Sequence, residues 1–354
     1  MAFEFFVWIQ KNVVTLLNGT GRRRSTEYVL MNSKNELLNK IVAEALEGIP
    51  ADITDALTLS ETTSTDELLE AAGEVARKWD GDRIDTCSIL NARSGKCTED
   101  CKWCAQSMHY NTGIKEYPYI PHDEAVEAGA MNASKHVSRF SLVTSGRKVA
   151  PADMEHFCSI FRHLRDNHKI HLCASMGLLY KSQMLQLKEA GVSRYHCNLE
   201  TSDRYFKTLC TTHTREDKLM TIQWAREAGL EICSGGIIGM GESMADRLAL
   251  AAEAREAGAV SIPVNILSPI PGTPLGNQEL LSEEEIMRSV TLMKLVAPKC
   301  RLRFAGGRAR LSDEATARLL KGGVGGSMVG DLLTTAGKGI DRDYAIFDSL
   351  GLKY

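Results

Sequence analysis

The sequence predicts an α/β protein, a closed (β/α)8 barrel of the TIM type behind an N-terminal helical extension. Three observations carry that expectation. Eight short apolar or mixed runs follow Ile84, and segments with helical spacing of apolar residues lie between them. The tripeptide Glu-Ala-Gly recurs just before three of the runs, where a helix stops on glycine and hands over to a strand. Most of the unusual polar and sulfur residues fall within or just after the runs, at the ends where a parallel barrel builds its site.

Taken in order, residues 1–30 form an extension of unassigned role. Its apolar stretch is interrupted by Glu4 and Lys11, and Arg22, Arg23 and Arg24 follow it instead of preceding it, the reverse of a secretory signal. It is also short for a membrane span, so no stable membrane insertion is expected. Three readings stand: a segment upstream of a natural start at Met31, an amphipathic helix packed on the domain, or a membrane-surface anchor. Residues 31–83 read as a helical preface, with Ser33 and then Ser64 or Thr65 placed as caps of "SKNELLNKIVAEALEG" and "STDELLEAAGEVARKWDG".

Residues 84–354 hold the barrel and a C-terminal segment. The strand runs are "IDTCSIL", "RFSLVTSG", "IHLCASMG", "SRYHCNLE", "LEICSGGIIGMG", "VSIPVNIL", "CRLRFAGGR" and "GGSMVGD". Helical segments such as "KSQMLQLKEAGV", "REDKLMTIQWAREAGL" and "SEEEIMRSVTLMKLVAP" separate them. "GGIIGMGE" lacks the Gly-x-Gly-x-x-Gly order of a dinucleotide loop and ends on Glu242, where a phosphate needs positive potential.

The chain of 354 residues carries a net charge of −3 and no long basic run, which argues against nucleic acid as a partner. Ten cysteines are too sparse for a secreted disulfide scaffold, so thiols serving metal or catalysis in a reducing compartment, the cytoplasm, are expected. Three of them, Cys97, Cys101 and Cys104, lie in "GKCTEDCKWCAQ" directly after the first run. Cys-x3-Cys-x2-Cys is one thiolate short of closing a four-iron cube, and an iron left open can take a small chelating ligand. A zinc site completed by His109 is the alternative chemistry.

This loop, with Trp103 just before its last cysteine, resembles that of the radical S-adenosylmethionine superfamily. "SGKCTEDCKWCAQS", "CNLETS", "CSGGIIGMGE", "VNILSPIPGTPL", "RFAGGR" and "LLTT" fall in the order and approximate spacing of the biotin synthase family, spanning about residues 84–336. The resemblance implies a 4Fe-4S cluster on Cys97, Cys101 and Cys104 whose open iron is chelated by S-adenosylmethionine. It implies radical abstraction of hydrogen from dethiobiotin and sulfur insertion from an auxiliary iron-sulfur cluster. It also implies a flavodoxin- or ferredoxin-type electron donor, iron-sulfur assembly machinery and a homodimer. A methylornithine-forming mutase, a hydrogenase-cofactor maturase and a cluster carrier are the competing readings, and Cys173, Cys233 and Arg303 favour sulfur insertion over them.

By the same resemblance the auxiliary cluster takes Cys173, Cys233 and Arg303, but Ser141 stands where the family pattern has its second-strand cysteine. Cys87 on the first strand stands where the family has serine, so Cys87, Cys173 and Cys233 are the expected ligands, with Arg303 as ligand or outer donor. The cluster is then 2Fe-2S or a four-iron type. The cofactor is expected to meet Trp103, Asn198, Glu200 and Lys218, and the substrate His196, Asn198 and Asn265. Arg139, Ser261 and Ser327 match polar positions near the auxiliary cluster. Alternation along a strand turns Cys197 outward; Cys158 and Cys210 read as structural, and Cys300 as a reserve ligand.

Overall fold

A computed structural model describes residues 35–330 and 339–354. The expectations for residues 1–30, for Ser33 as a cap and for the "LLTT" segment lie outside the described residues.

Three helices open the described chain: α1 (Glu36–Leu46), α2 (Ile53–Thr62) and α3 (Thr65–Asp80). Asn35 caps α1 through Leu38 N–H, and Ser64 caps α3 in a reciprocal box with Glu67. Helix α3 is tied to the body of the protein by a buried ion pair: Lys294 Nζ lies 2.8 Å from Asp80 Oδ2 and also donates to Cys300 O at 3.1 Å. Gly73 serves a second contact of this helix, since a Cβ there would stand 2.4 Å from Lys321 O.

The strands are β1 (Asp85–Arg93), β2 (Arg139–Thr144), β3 (His171–Ser175), β4 (Val192–His196), β5 (Glu231–Cys233), β6 (Gly236–Ile238), β7 (Ala259–Ile266), β8 (Arg301–Phe304) and β9 (Val324–Met328). All pair in parallel, and β1 pairs with both β2 and β9 while β5 and β6 both pair with β7, so the sheet closes. Nine strands thus make eight staves, because β5 and β6 are one stave interrupted at Ser234–Gly235. Helices α4 (His122–Ser134), α5 (Met154–Asn167), α6 (Lys181–Glu189), α7 (Asp203–Phe206), α8 (Arg215–Glu227), α9 (Met244–Glu256), α10 (Glu283–Val296), α11 (Asp313–Lys321) and α12 (Ile340–Ser349) complete the described α-helices. None is long and apolar enough to cross a membrane.

Strand periodicity sorts side chains between two compartments. In β2, Phe140 and Leu142 are fully buried beneath the helices, whereas Arg139, Ser141 and Val143 line the barrel interior. In β4, Tyr195 faces the helical layer while Arg194 and His196 face inward. The outer layer is therefore apolar, and the inner one carries arginine, serine, histidine and cysteine.

Candidate active site

The inward side chains and the strand-end loops enclose a cavity of about 370 Å3. Its floor is electrostatic. Asp85, at the start of β1, accepts from Arg139 Nε at 3.1 and 3.2 Å and from Arg194 Nη1 at 3.4 Å; Arg303 Nη2 donates to the same carboxylate. Arg194 also pairs with Glu231 at 2.8 Å. Burial opposes ionisation of Asp85, but the three guanidiniums, Arg303 foremost, hold it at about 2.

Three thiols stand above this floor. Register pairs Cys87 with Arg139, Ser141 with Cys173, Cys173 with Arg194, and His196 with Cys233, so Cys87, Cys173 and Cys233 project from staves one, three and five into one cavity. Burial pushes Cys87 up to about 12 and also raises Cys173. Cys233 goes the other way: against its burial, a hydrogen bond from His196 and the charges of Arg194 and Arg303 bring it to about 7. Each anion formed here raises the next, since Cys87 feels both Cys173 and Cys233. Ser141 lies among these groups on stave two and is buried.

Arg303 is committed to other partners. Its Nη1 donates to Asp85 O at 2.7 Å, its Nη2 to the Asp85 carboxylate, and its Nε lies 3.4 Å from Ser261 Oγ. All three of its nitrogens thus face oxygen acceptors, and its charge lies beside Cys87 and Cys233. Ser327, by contrast, accepts from Arg308 Nη1 at 2.8 Å and is fully buried.

The break in the fifth stave is built by the residues that the sequence assigns to substrate and cofactor. Asn198 Oδ1 accepts from Gly235 N–H at 3.1 Å, standing in for a ladder bond at the break. The chain after β4 then rejoins β6: Glu200 O accepts from Ile237 N–H at 2.8 Å, and Glu200 adopts φ +74°, a conformation disfavoured for a residue with a Cβ. Gly236 permits this approach, because a Cβ on it would meet Glu200 O at 2.1 Å. Asn265 spans the next gap, donating to Gly236 O at 2.9 Å and accepting from Gly306 N–H at 2.8 Å. Asn198 thus keeps its amide NH2 for the cavity, whereas Asn265 engages both its oxygen and its nitrogen and keeps one N–H and one lone pair there. Lys218 Nζ stands 3.7 Å from Glu200 Oε1; burial opposes its charge, but that carboxylate together with Cys197, Cys101 and Cys210 raises its pKa.

The three-cysteine loop covers the cavity mouth. Cys97 N–H donates to Gln106 O at 3.0 Å, Met108 N–H to Cys97 O at 2.8 Å, and Cys104 N–H to Cys101 O at 3.0 Å. Lys102 N–H donates to Leu209 O at 3.1 Å, and Trp103 packs with Leu209, Met240 and Leu267 while lining the cavity with Cys104. All three cysteines are free thiols. A wound loop offering three thiols beside an open cavity is a donor set that fits an iron-sulfur cluster with one accessible iron. His109 turns away from such a role, its Nε2 lying 3.0 Å from Thr98 O on an exposed ring.

Several residues stand apart from the sequence reading. Cys197 is buried outside the cavity lining, as alternation requires. Cys300, expected in reserve, donates to Ala259 O at 3.1 Å and does not line the cavity, so it offers nothing there. Cys210, read as structural, lies 3.7 Å from Cys101. Asp85 and Arg194 escaped the sequence reading; inward period-2 placement relative to Cys87 and His196 was the available signal. Glu242 accepts Gly239 and Met240 N–H, each at 2.7 Å, and pairs with Arg247 at 2.6 Å, which fills the glycine loop with a carboxylate where a phosphate would sit.

Comparison with known proteins adds two family models. The Radical SAM superfamily model matches residues 92–254, and the Biotin and Thiamin Synthesis associated domain matches residues 263–353. A biotin synthase of Parabacteroides distasonis is 45% identical over 306 residues, covering 86% of this chain and 94% of that protein. One from Akkermansia muciniphila is 44% identical over 316 residues, covering 89% and 98%. Among solved structures, methylornithine synthase superposes with a TM-score of 0.74 at 16% identity, covering 88% of this chain and 96% of that one. A maturase of the [FeFe]-hydrogenase gives 0.75 at 14% identity, covering 90% and 75%. At such identities the two structures speak for the shared barrel alone.

Proposed function

The chain belongs to the biotin synthase family of the radical S-adenosylmethionine superfamily, and from that premise we propose that Cys87, Cys173 and Cys233 hold the auxiliary cluster from which sulfur is taken. The enzyme converts dethiobiotin to biotin by radical sulfur insertion, with a 4Fe-4S cluster and S-adenosylmethionine as cofactors. When bound, the first cluster and S-adenosylmethionine would supply a 5'-deoxyadenosyl radical, and the auxiliary cluster a sulfur atom.

The chain's own residues do the rest. Cys97, Cys101 and Cys104 carry the first cluster, and Trp103 seals its loop against the apolar cluster of Leu209, Met240 and Leu267. Glu200, its backbone bridged to Gly236, would offer its carboxylate to the ribose hydroxyls of the cofactor. Lys218 steadies that carboxylate from behind and contributes positive charge near the methionyl carboxylate. His196, Asn198 and Asn265 surround the ureido ring, whose donors and acceptors match amide and imidazole groups. Arg139, Arg194 and Arg303 exceed the paired carboxylates Asp85 and Glu231 by one charge, which favours an anionic cluster above them.

The observation that carries the reading is the convergence of three thiols from staves one, three and five, with serine on stave two. Because Arg303 spends its nitrogens on Asp85 and Ser261, three protein ligands remain. That count favours a four-iron centre with one open iron over a fully ligated 2Fe-2S centre. A flavodoxin- or ferredoxin-type donor, the iron-sulfur assembly machinery, a homodimeric state and a cytoplasmic setting complete the proposal by analogy with the family. The test is Cys87→Ser beside Ser141→Ala, scored for iron, acid-labile sulfide and biotin formed per chain under anaerobic conditions. Cys87→Ser should lose the auxiliary iron and form almost no biotin, with Ser141→Ala near wild type; unchanged iron and biotin in Cys87→Ser would show that the thiol only packs.

A further inference from the structure

Behind the three-cysteine loop, on the side away from the cavity, a second set of thiol and imidazole groups stands together. Cys101 Sγ lies 3.7 Å from Cys210 Sγ, and Cys210 Sγ lies 3.3 Å from Nδ1 and 3.9 Å from Nε2 of His213. One donor atom from each of the three residues falls within 4.8 Å of the others. Tetrahedral zinc, with bonds of about 2.3 Å to sulfur and about 2.0 Å to nitrogen, has S···S edges of about 3.8 Å and S···N edges of about 3.5 Å. The Cys101–Cys210 and Cys210–Nε2 separations therefore lie close to two edges of such a polyhedron.

The surroundings complete the arrangement. His213 Nδ1 lies 2.6 Å from Glu99 Oε2, and both side chains are buried. An imidazole that donates Nδ1–H to a carboxylate presents its Nε2 lone pair, the orientation shared by metal-bound histidines. Arg147 Nη1 steadies Glu99 at 3.3 Å. Asp100 accepts from the backbone of Thr211 at 2.8 Å and Thr212 at 3.2 Å and stands 3.3 Å from Cys210 Sγ, which holds the 210–213 turn in register with the cysteine loop. None of these groups lines the cavity.

We propose that Cys101, Cys210 and His213 form a binding site for one zinc-class divalent cation, filled only while Cys101 is free of the iron-sulfur cluster. The site itself rests on the geometry alone; its exclusion by the cluster rests on the reading of Cys101 as a cluster ligand. Zinc binds a given site of nitrogen and sulfur donors more tightly than ferrous ion does. Zinc held here therefore removes one of the three thiolates that the radical cluster needs, and leaves the auxiliary thiols untouched.

The test uses the full chain stripped of clusters, titrated anaerobically with Co2+ as a coloured probe and then with Zn2+ to displace it. The expected result is one equivalent with tetrahedral ligand-field bands and thiolate charge transfer, displaced by Zn2+. That equivalent should be absent from Cys210→Ser, weakened at least tenfold in His213→Gln, and retained in the Cys97→Ser/Cys104→Ser double variant. If Cys210→Ser fails to fold by circular dichroism, His213→Gln and the double variant decide. Binding that survives in His213→Gln at full affinity, or vanishes with Cys97 and Cys104, overturns the proposal by placing the cation on the motif thiols. Reconstitution after zinc loading tests the exclusion separately: iron should fall by the radical cluster's share alone, and cobalt uptake by the fully cluster-loaded chain would overturn the shared role of Cys101 while leaving biotin formation as the independent check on family function.

Discussion

Asp85 gives the sharpest test of the barrel floor. Its pKa of about 2, against an ordinary 3.8, means that the ionised form is favoured in the folded state despite burial. At about 1.36 kcal/mol per pH unit, that fall corresponds to roughly 2.4 kcal/mol of stability. Because the folded value is depressed, the contribution is whole above about pH 4 and is lost as pH falls through about 2. Asp85→Asn removes the charge at every pH and leaves Arg139, Arg194 and Arg303 facing one another, all less than one-sixth exposed. The loss should then reach the roughly 3–5 kcal/mol typical of a broken buried ion pair. The assay is urea unfolding of the cluster-free chain near neutral pH, comparing wild type, Asp85→Asn, Arg194→Met and the double variant. Removing one surplus guanidinium should recover about 1 kcal/mol or more of the Asp85→Asn loss. A change below about 0.5 kcal/mol in Asp85→Asn, or strict additivity with Arg194→Met, would refute the three-arginine floor.

Other consequences follow from the same contacts. Gly236→Ala should weaken binding of S-adenosylmethionine and destabilise the fold by about 1–3 kcal/mol, since the new Cβ would drive into the Glu200 carbonyl; ligand-dependent thermal shifts measure both effects. Lys294→Met should cost about 3 kcal/mol by leaving the buried Asp80 to Arg301 alone, 3.7 Å away, and Asp80→Asn added to it should restore part of the loss, read by denaturant midpoints.

Cys87, Cys173, Cys233 and Arg303 were legible through the resemblance of their motifs to the biotin synthase family, and the period of two of a strand is what brings all four to one cavity. What such a pattern cannot supply is partnership across staves. Asp85 and Arg194 look like solvent-facing charges at strand ends, and only closure of the barrel brings them together. The interruption at Ser234–Gly235 was hidden inside one apolar run, so Asn198 and Asn265 could be assigned to ligands but not to the backbone gaps they bridge. Cys210 and His213 sit more than a hundred positions from Cys101 and Glu99, and no local spacing relates them.

The measurement to make is iron and acid-labile sulfide per chain, with Mössbauer spectra, on anaerobically reconstituted protein lacking Cys97, Cys101 and Cys104, with and without Cys87→Ser. Three auxiliary thiols above the arginine floor, with Arg303 held by Asp85 and Ser261 as proposed, predict about four irons retained in the first protein and a cluster lost in the second. No iron in the first, or the same iron in both, would contradict an auxiliary centre held by Cys87, Cys173 and Cys233.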